Sequence, residues 1–178
     1  GKDWTDKMTE YSNRRVRKHD LADLCGYILK KDSPSCGMER VKIYGSSGGP
    51  QRIARGLYAD SLLEQHPLLP VEEEGRLNDP KLRENFIVRV FAYWRLRGLF
   101  SGRFSLGNLV QFHTEHKYLL LAHSPKHYKV LGNLVAGAKK LTPTKLREEY
   151  SSMFMEALKV KSTIVKNVNV LHHIMGFL

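Results

Sequence analysis

The chain has 178 residues, 42% apolar and 26% charged, with a formal net charge of +11. That length buries one good core or two small ones, and no apolar run approaches the ~20 residues of a membrane-spanning helix. Two cysteines, Cys25 and Cys36, are too few for a disulfide framework, so a reducing, cytoplasmic setting is expected.

Trp4, Met8 and Tyr11 recur at helical spacing and predict an amphipathic helix over residues 3–18. Its basic end, Arg14 to Lys18, suits the negative end of the helix dipole. The short apolar run Leu24 to Leu29 fits a buried strand, and Val41 to Tyr44 is a second strand candidate. Gly45-Ser46-Ser47-Gly48-Gly49-Pro50 then breaks the chain. Residues 52–65 are predicted helical, with Ile53, Leu57, Tyr58 and Leu62 on the apolar side, and Leu68 to Val71 is a third short strand. Strands alternating with helices predict a parallel α/β sheet.

From Asp79 onward the pattern is helical only. Asp79-Pro80, Ser124-Pro125 and Thr142-Pro143 share one start signature, a capping residue followed by proline at the first helical position. The first of these helices is expected to bury Leu82, Phe86, Val90 and Trp94. A further helix covers about 106–123. The last carries Leu146, Tyr150, Met153 and Ala157, then Ile164, Val168, Leu171 and Met175, as one long helix or two with a joint near Lys161. Phe100-Ser101-Gly102-Arg103 is the best linker candidate.

Charge is uneven along the chain. Residues 1–102 hold 18 Lys and Arg against 14 Asp and Glu, whereas residues 103–178 hold 11 against four. The stronger positive field of the C-terminal part favours anionic partners such as nucleic acid, with a solvated basic face as the alternative. The N-terminus, Gly1-Lys2-Asp3-Trp4, has neither methionine nor a secretory apolar segment and reads as a cut inside a longer protein.

In an open parallel sheet, ligands bind beyond the carboxyl ends of the strands. The loop Asp32–Gly37 follows one predicted strand and Glu72-Glu73-Glu74 follows another. Parallel strands would bring a thiol, two serine hydroxyls and a carboxylate cluster to one edge; otherwise these are a plain turn and a solvated loop. Cys25, inside the apolar run, reads as a small buried hydrophobe. It lies 11 residues from Cys36, without the short spacing of a zinc or iron–sulfur pair. Gly45 to Gly49 lies where a phosphate loop would lie but matches neither the P-loop nor the dinucleotide fingerprint. A glycine turn is the simpler reading.

His113, His116, His123 and His127 fall within 15 residues. On one continuous helix they would span an arc of roughly 80°, although Pro125 argues for a break. Clustered imidazoles bind metals, contact phosphate or move protons. Together with Lys117 and Lys126 they form a candidate substrate- or anion-binding set. Interhelical hydrogen bonding beneath a basic surface is the other reading, since no complete ligand set is visible.

Three segments, Cys25-Gly26-Tyr27-Ile28-Leu29-Lys30, Ser33-Pro34-Ser35-Cys36-Gly37 and Pro70-Val71-Glu72-Glu73-Glu74-Gly75, resemble the C-terminal half of the thiouracil-desulfurase-like family. Residues 106–178 resemble the YbgA-like helical domain, a domain of unknown function. The segments that carry this second likeness are Phe112-His113-Thr114-Glu115-His116-Lys117, Leu120-Leu121-Ala122-His123-Ser124-Pro125 and Asn169-Val170-Leu171-His172-His173-Ile174-Met175-Gly176. The two domains occur fused in bacterial proteins of that type, and the matches cover nearly the whole chain.

The desulfurase resemblance implies a [4Fe–4S] cluster held by three cysteines, with one iron open to the sulfur of a thiolated pyrimidine. Cys36 carries over as a cluster ligand and Ser33 as the polar catalytic group facing the substrate. The other two ligand cysteines belong to upstream motifs, Cys25 matches no ligand position, and the family's helical domain normally continues past Phe177-Leu178. The expected architecture is therefore a partial parallel-sheet, Rossmann-like α/β domain over residues 1–79, a connecting helix and linker over 80–104, and an all-α YbgA-like domain over 105–178, truncated at its end. The implied parent is an iron–sulfur-dependent desulfurase-like enzyme acting on thiolated bases, nucleosides or RNA, and this piece is expected to be inactive alone. The alternative is a non-catalytic nucleic-acid or protein binding module carried by the basic helical domain.

Overall fold

The computed structural model describes residues 3–18, 21–39, 41–43 and 51–176. The chain divides into two compact units, Gly1–Phe86 and Ile87–Leu178. The division falls inside one helix, Pro80–Ser101.

The first unit opens with helix α1 (Thr5–Lys18). It packs on helix α2 (Leu57–Gln65) through buried Ser12 and Val16 facing Ala59, Ser61 and Leu62. A polar seam joins the two helices: Ser61 Oγ donates to Asn13 Oδ1 at 2.7 Å, and Gln65 Nε2 reaches both Asn13 Oδ1 and Ser61 Oγ. The face carrying Trp4, Met8 and Tyr11, expected to be the packed one, is exposed instead. It lies roughly 100° around the helix from Ser12 and Val16, and small residues permit the close helix contact that large ones would prevent.

Four short strands follow: β1 (Tyr27–Leu29), β2 (Val41–Ile43), β3 (Gln51–Ala54) and β4 (Val71–Glu73). β1 and β4 are parallel, with Tyr27 opposite Val71 and Leu29 opposite Glu73. β2 and β3 form a separate antiparallel pair with an irregularity between Val41 and Lys42. The expected alternation therefore gives one parallel pair among the described residues rather than a full layer. The first apolar run is a strand only from Tyr27, because Leu21–Asp23 closes a 3₁₀ turn. The third strand begins at Val71 rather than Leu68. Residues 51–54 are a strand, not the start of a helix. Pairing with β2 overrides the helical spacing of Ile53 and Leu57, and the helix starts only after Gly56. The glycine-rich stretch 45–49 lies outside the described residues.

The second unit contains the rest of α3 (Pro80–Ser101), then α4 (Leu106–Glu115), α5 (Lys117–His123), α6 (Pro125–Ala136), α7 (Pro143–Lys159) and α8 (Ile164–Met175). The three capping starts form as expected. Asp79 Oδ1 accepts from the amides of Lys81 and Leu82, Ser124 from His127, and Thr142 from Lys145. On α3 the expected buried face is wrong past Phe86. Ala92 and Leu96 are buried while Trp94 is 63% exposed. Residues spaced by four rotate about 40° per step on a helix, so the fourth member, Trp94, points well away from Leu82. The stretch 106–123 is two helices, broken at His116. The last segment is also two, α7 and α8, separated at Val160–Thr163.

The core of this unit is Leu109, Phe112, Leu120, Leu131, Leu146, Tyr150, Phe154 and Leu158, all nearly or fully buried. Phe112 meets Phe154 edge-on at 5.2 Å, and Tyr150 stacks on Phe154 at 6.0 Å. Among the described residues no helix is long and apolar enough to cross a membrane. Because Phe154 contacts rings from α4 and α7 alike, Phe154→Ala is expected to destabilise the helical unit by about 3–5 kcal/mol. A lowered urea midpoint followed by far-UV circular dichroism checks this.

Candidate functional site

The loop after β1 is a turn built around Ser33. Ser33 Oγ accepts from the amides of Ser35 and Cys36 at 3.3 and 3.2 Å, and the Gly37 amide donates to the Ser33 carbonyl at 2.8 Å. Asp32 enters it with φ of 55°, a left-handed conformation that aspartate tolerates better than most side chains. This wraps the hydroxyls and the thiol together: Ser33 Oγ lies 3.1 Å from Ser35 Oγ, which lies 3.4 Å from Cys36 Sγ.

The carbonyls of the turn point the other way, into the start of α2. The first amides of a helix have no partners within it, and Gly56 at the N-cap position offers no side chain. The turn supplies what is missing. Gly56 N–H donates to Gly37 O at 2.8 Å, Leu57 N–H to Pro34 O at 3.4 Å, and the amides of Tyr58 and Ala59 to Ser35 O at 2.9 and 3.1 Å. The approach is close enough that a Cβ on Gly56 would lie 2.4 Å from Ser35 O, so glycine is required there.

The glutamates clamp the same turn from β4. Glu74 Oε2 accepts from the Lys31 amide at 2.6 Å, just before the turn, and Glu73 Oε1 accepts from the Met38 amide at 2.6 Å, just after it. Glu72 Oε1 accepts from Arg76 Nε at 2.6 Å and from the Glu73 amide at 3.1 Å. Glu72 and Glu73 are buried. Parallel pairing of β1 and β4 thus brings both loops to one edge, where the carboxylates hold backbone and arginine, Glu72 and Glu73 from buried positions and Glu74 from an exposed one.

Two residues that sequence reasoning did not single out complete the surroundings. Tyr58, in the first turn of α2, bonds Tyr27 through their hydroxyls at 3.2 Å, with the rings 6.1 Å apart. Burial, the hydrogen bond to Tyr27 and the neighbouring Cys36 push the Tyr58 phenol well above its ordinary value, so it stays a neutral hydroxyl beside the thiol. Only folding brings these residues to the turn, which is why no local motif marks them.

Neither Cys25 nor Cys36 is in a disulfide. Among the described residues no three His, Cys, Asp or Glu side chains converge as a metal-binding group. The one thiolate at this turn falls short of the three that a [4Fe–4S] cluster of the implied kind needs, so this set does not by itself hold one.

The four histidines of the candidate set lie on α4, α5 and α6 and at the α4–α5 junction. His113 is buried, with Nδ1 3.2 Å from the Tyr150 hydroxyl and its ring stacked on Tyr128 at 5.3 Å. His116, also buried, donates from Nδ1 to the Phe112 carbonyl at 2.8 Å and stacks on Phe112 at 4.0 Å. His123 donates from Nδ1 to the Val160 carbonyl at 2.6 Å, while Lys166 Nζ donates to the His123 carbonyl at 2.6 Å. His127 Nδ1 lies 2.7 Å from Ser124 Oγ. Lys117 sits over the Tyr118 ring at 5.4 Å, and Lys126 is exposed. Nδ1 of each ring thus faces a protein atom, at a helix junction or in the core.

Burial lowers the affinity of His113 and His116 for protons below the ordinary 6.5. The unfolded chain therefore binds protons first, and stability falls as pH drops below about 6.5. We expect the denaturation midpoint of the helical unit to fall between pH 7 and pH 5, and His113→Gln to flatten that dependence; a urea series across pH measures both. In the first unit, Gly56→Ala is expected to cost about 3 kcal/mol by forcing the turn off α2, read as a lower thermal midpoint.

Comparison with known proteins bears on both units. Residues 1–74 match the sequence model of 2-thiouracil desulfurase. Residues 117–178 match that of a protein of unknown function (DUF1722). The uncharacterized protein YbgA of Escherichia coli (strain K12) is 26% identical over 105 residues, covering 57% of this chain and 60% of that relative's length. No solved structure matches. The chain is thus similar to YbgA and, over its first 74 residues, to 2-thiouracil desulfurase.

Proposed function

We propose that the Ser33–Gly37 turn is one corner of a site that receives the sulfur of a thiolated base or nucleoside, in an iron–sulfur-dependent, desulfurase-like reaction in a reducing cytoplasm. The observation that carries this reading is the double anchoring of the turn. Amides at the start of α2 and carboxylates of Glu73 and Glu74 hold its backbone, which aims Ser33, Ser35 and Cys36 together at the carboxyl edge of the parallel pair. In this reading β1 and β4 belong to a larger Rossmann-like layer. Cys36 contributes one thiolate, a soft donor suited to iron–sulfur centres, and any further ligands come from outside the described residues. The Ser33 hydroxyl, its oxygen already accepting two amides, turns its proton toward the substrate. The neutral Tyr58 and Tyr27 hydroxyls offer further donors to a ring carbonyl or nitrogen.

The test uses the natural protein, purified anaerobically and reconstituted with iron and sulfide. About four irons per chain, lost in Cys36→Ala, are expected. Ser33→Ala is expected to keep the iron and to slow sulfide release from 2-thiouracil at least tenfold. Residues 1–178 alone are expected to bind no cluster and turn over no substrate. Full iron in Cys36→Ala would make the cysteine a structural thiol and remove the reading.

A second reading has its own observation. Residues 87–178 carry 14 Lys and Arg against four Glu, whereas residues 1–86 carry 15 against 14. Nearly all of the net charge thus lies in the helical unit, which suits a module that binds a polyanion.

A further inference from the structure

On α3, Phe91, Trp94, Arg95 and Gly98 occupy an arc of roughly 100°, and all four are exposed. Phe91 is 55% and Trp94 63% exposed. From Ile87 to Arg103 the chain has Arg89, Arg95, Arg97 and Arg103 and no acidic residue. Arg95 and Arg103 make no ion pair among the described residues.

The same face runs into a groove of about 320 Å³ between the end of α3 and α4. Gly98 and Gly102 line one side, and a Cβ on either would meet nothing within 4 Å, so a chain can approach closely there. Leu99, Arg103, Asn108, Gln111 and Glu115 line the rest, above Phe112. The Gln111 amide donates to Glu115 Oε1 at 2.8 Å, which leaves its carbonyl as an acceptor and the Asn108 side chain free to read a base edge.

Resting on the second reading above, we propose that this surface is a single-stranded nucleic-acid interface. Bases stack on Phe91 and Trp94, Arg95 and Arg103 take the phosphates, and the glycine-lined groove admits the adjoining nucleotide. Charge selects a polyanion, and the paired aromatics select one with flat π-faces, which an acidic protein segment does not offer. Flat aromatic rings beside cations are the physical requirement of sequence-tolerant single-strand binding.

The experiment uses the whole chain and fluorescein-labelled 20-nucleotide oligouridylate and oligodeoxythymidylate, followed by anisotropy at 50 and 200 mM salt. In a Trp4→Phe background Trp94 is the only tryptophan, and its emission reports stacking. Quenching on binding of either oligomer is expected. Trp94→Ala is expected to weaken binding about 5- to 100-fold. Arg95→Ala and Arg103→Ala are each expected to reduce the salt slope by about 0.7. Circular dichroism confirms that these surface variants fold. If affinity survives all three changes but is lost in Lys139→Ala/Lys140→Ala, the helical unit binds nucleic acid elsewhere and this interface is wrong. If neither oligomer binds at 50 mM salt, the binding-module reading falls with it. If polyglutamate competes as well as the oligomers and Trp94 is not quenched, the partner is acidic protein and the proposal is overturned.

Discussion

The N-terminal unit depends on an exchange of hydrogen bonds between a turn and a helix end. Helix α2 starts at a glycine with no side chain to cap it, and the Ser33–Gly37 turn has carbonyls with no strand to pair with. Each answers the other's need. An uncapped helix start and an unpaired turn would both be costly when buried. Once they are joined, the side chains of the turn have one direction left, away from α2. The glutamates on β4 then fix the two ends of the turn to the parallel pair. The result is a rigid display of two hydroxyls and a thiol at a strand edge, close to a pair of bonded tyrosines.

The helical unit solves a different problem with its histidines. It is made of short helices, and every break between them releases carbonyls and amides. His116 sits at the break between α4 and α5 and bonds back to Phe112; His123 reaches the carbonyl that ends α7. The His116 imidazole is flat enough to stack on Phe112 and still donates one proton. The aromatic cluster of Phe112, Tyr150 and Phe154 supplies the stacking surface. The same chemistry that makes clustered histidines look like ligands makes them useful as core fasteners, and here their partners are protein atoms.

Charge and side-chain chemistry thus separate along the chain. The nearly neutral first unit carries the thiol and the family likeness to a desulfurase, and the strongly basic second unit carries exposed aromatics and arginines. A small thiolated base and a nucleic-acid strand are chemically related ligands, since one can be a residue of the other.

The sequence by itself determined the division of character, α/β signals before Asp79 and helices after it, and the three capped helix starts, because caps and proline act locally. It also showed that Ser33, Ser35 and Cys36 sit in one turn, since they are nearly adjacent. Three things were decided only by tertiary structure. Residues 51–54 became a strand because β2 offered a partner. Trp94 was turned outward because α3 packs through Ala92 and Leu96 instead. The glutamates became clamps, and Gly56 and Tyr58 became neighbours of Cys36, because parallel pairing and helix docking brought distant segments to one edge. Local rules read hydrogen bonds within a few residues; the contacts that shape this site span twenty to forty.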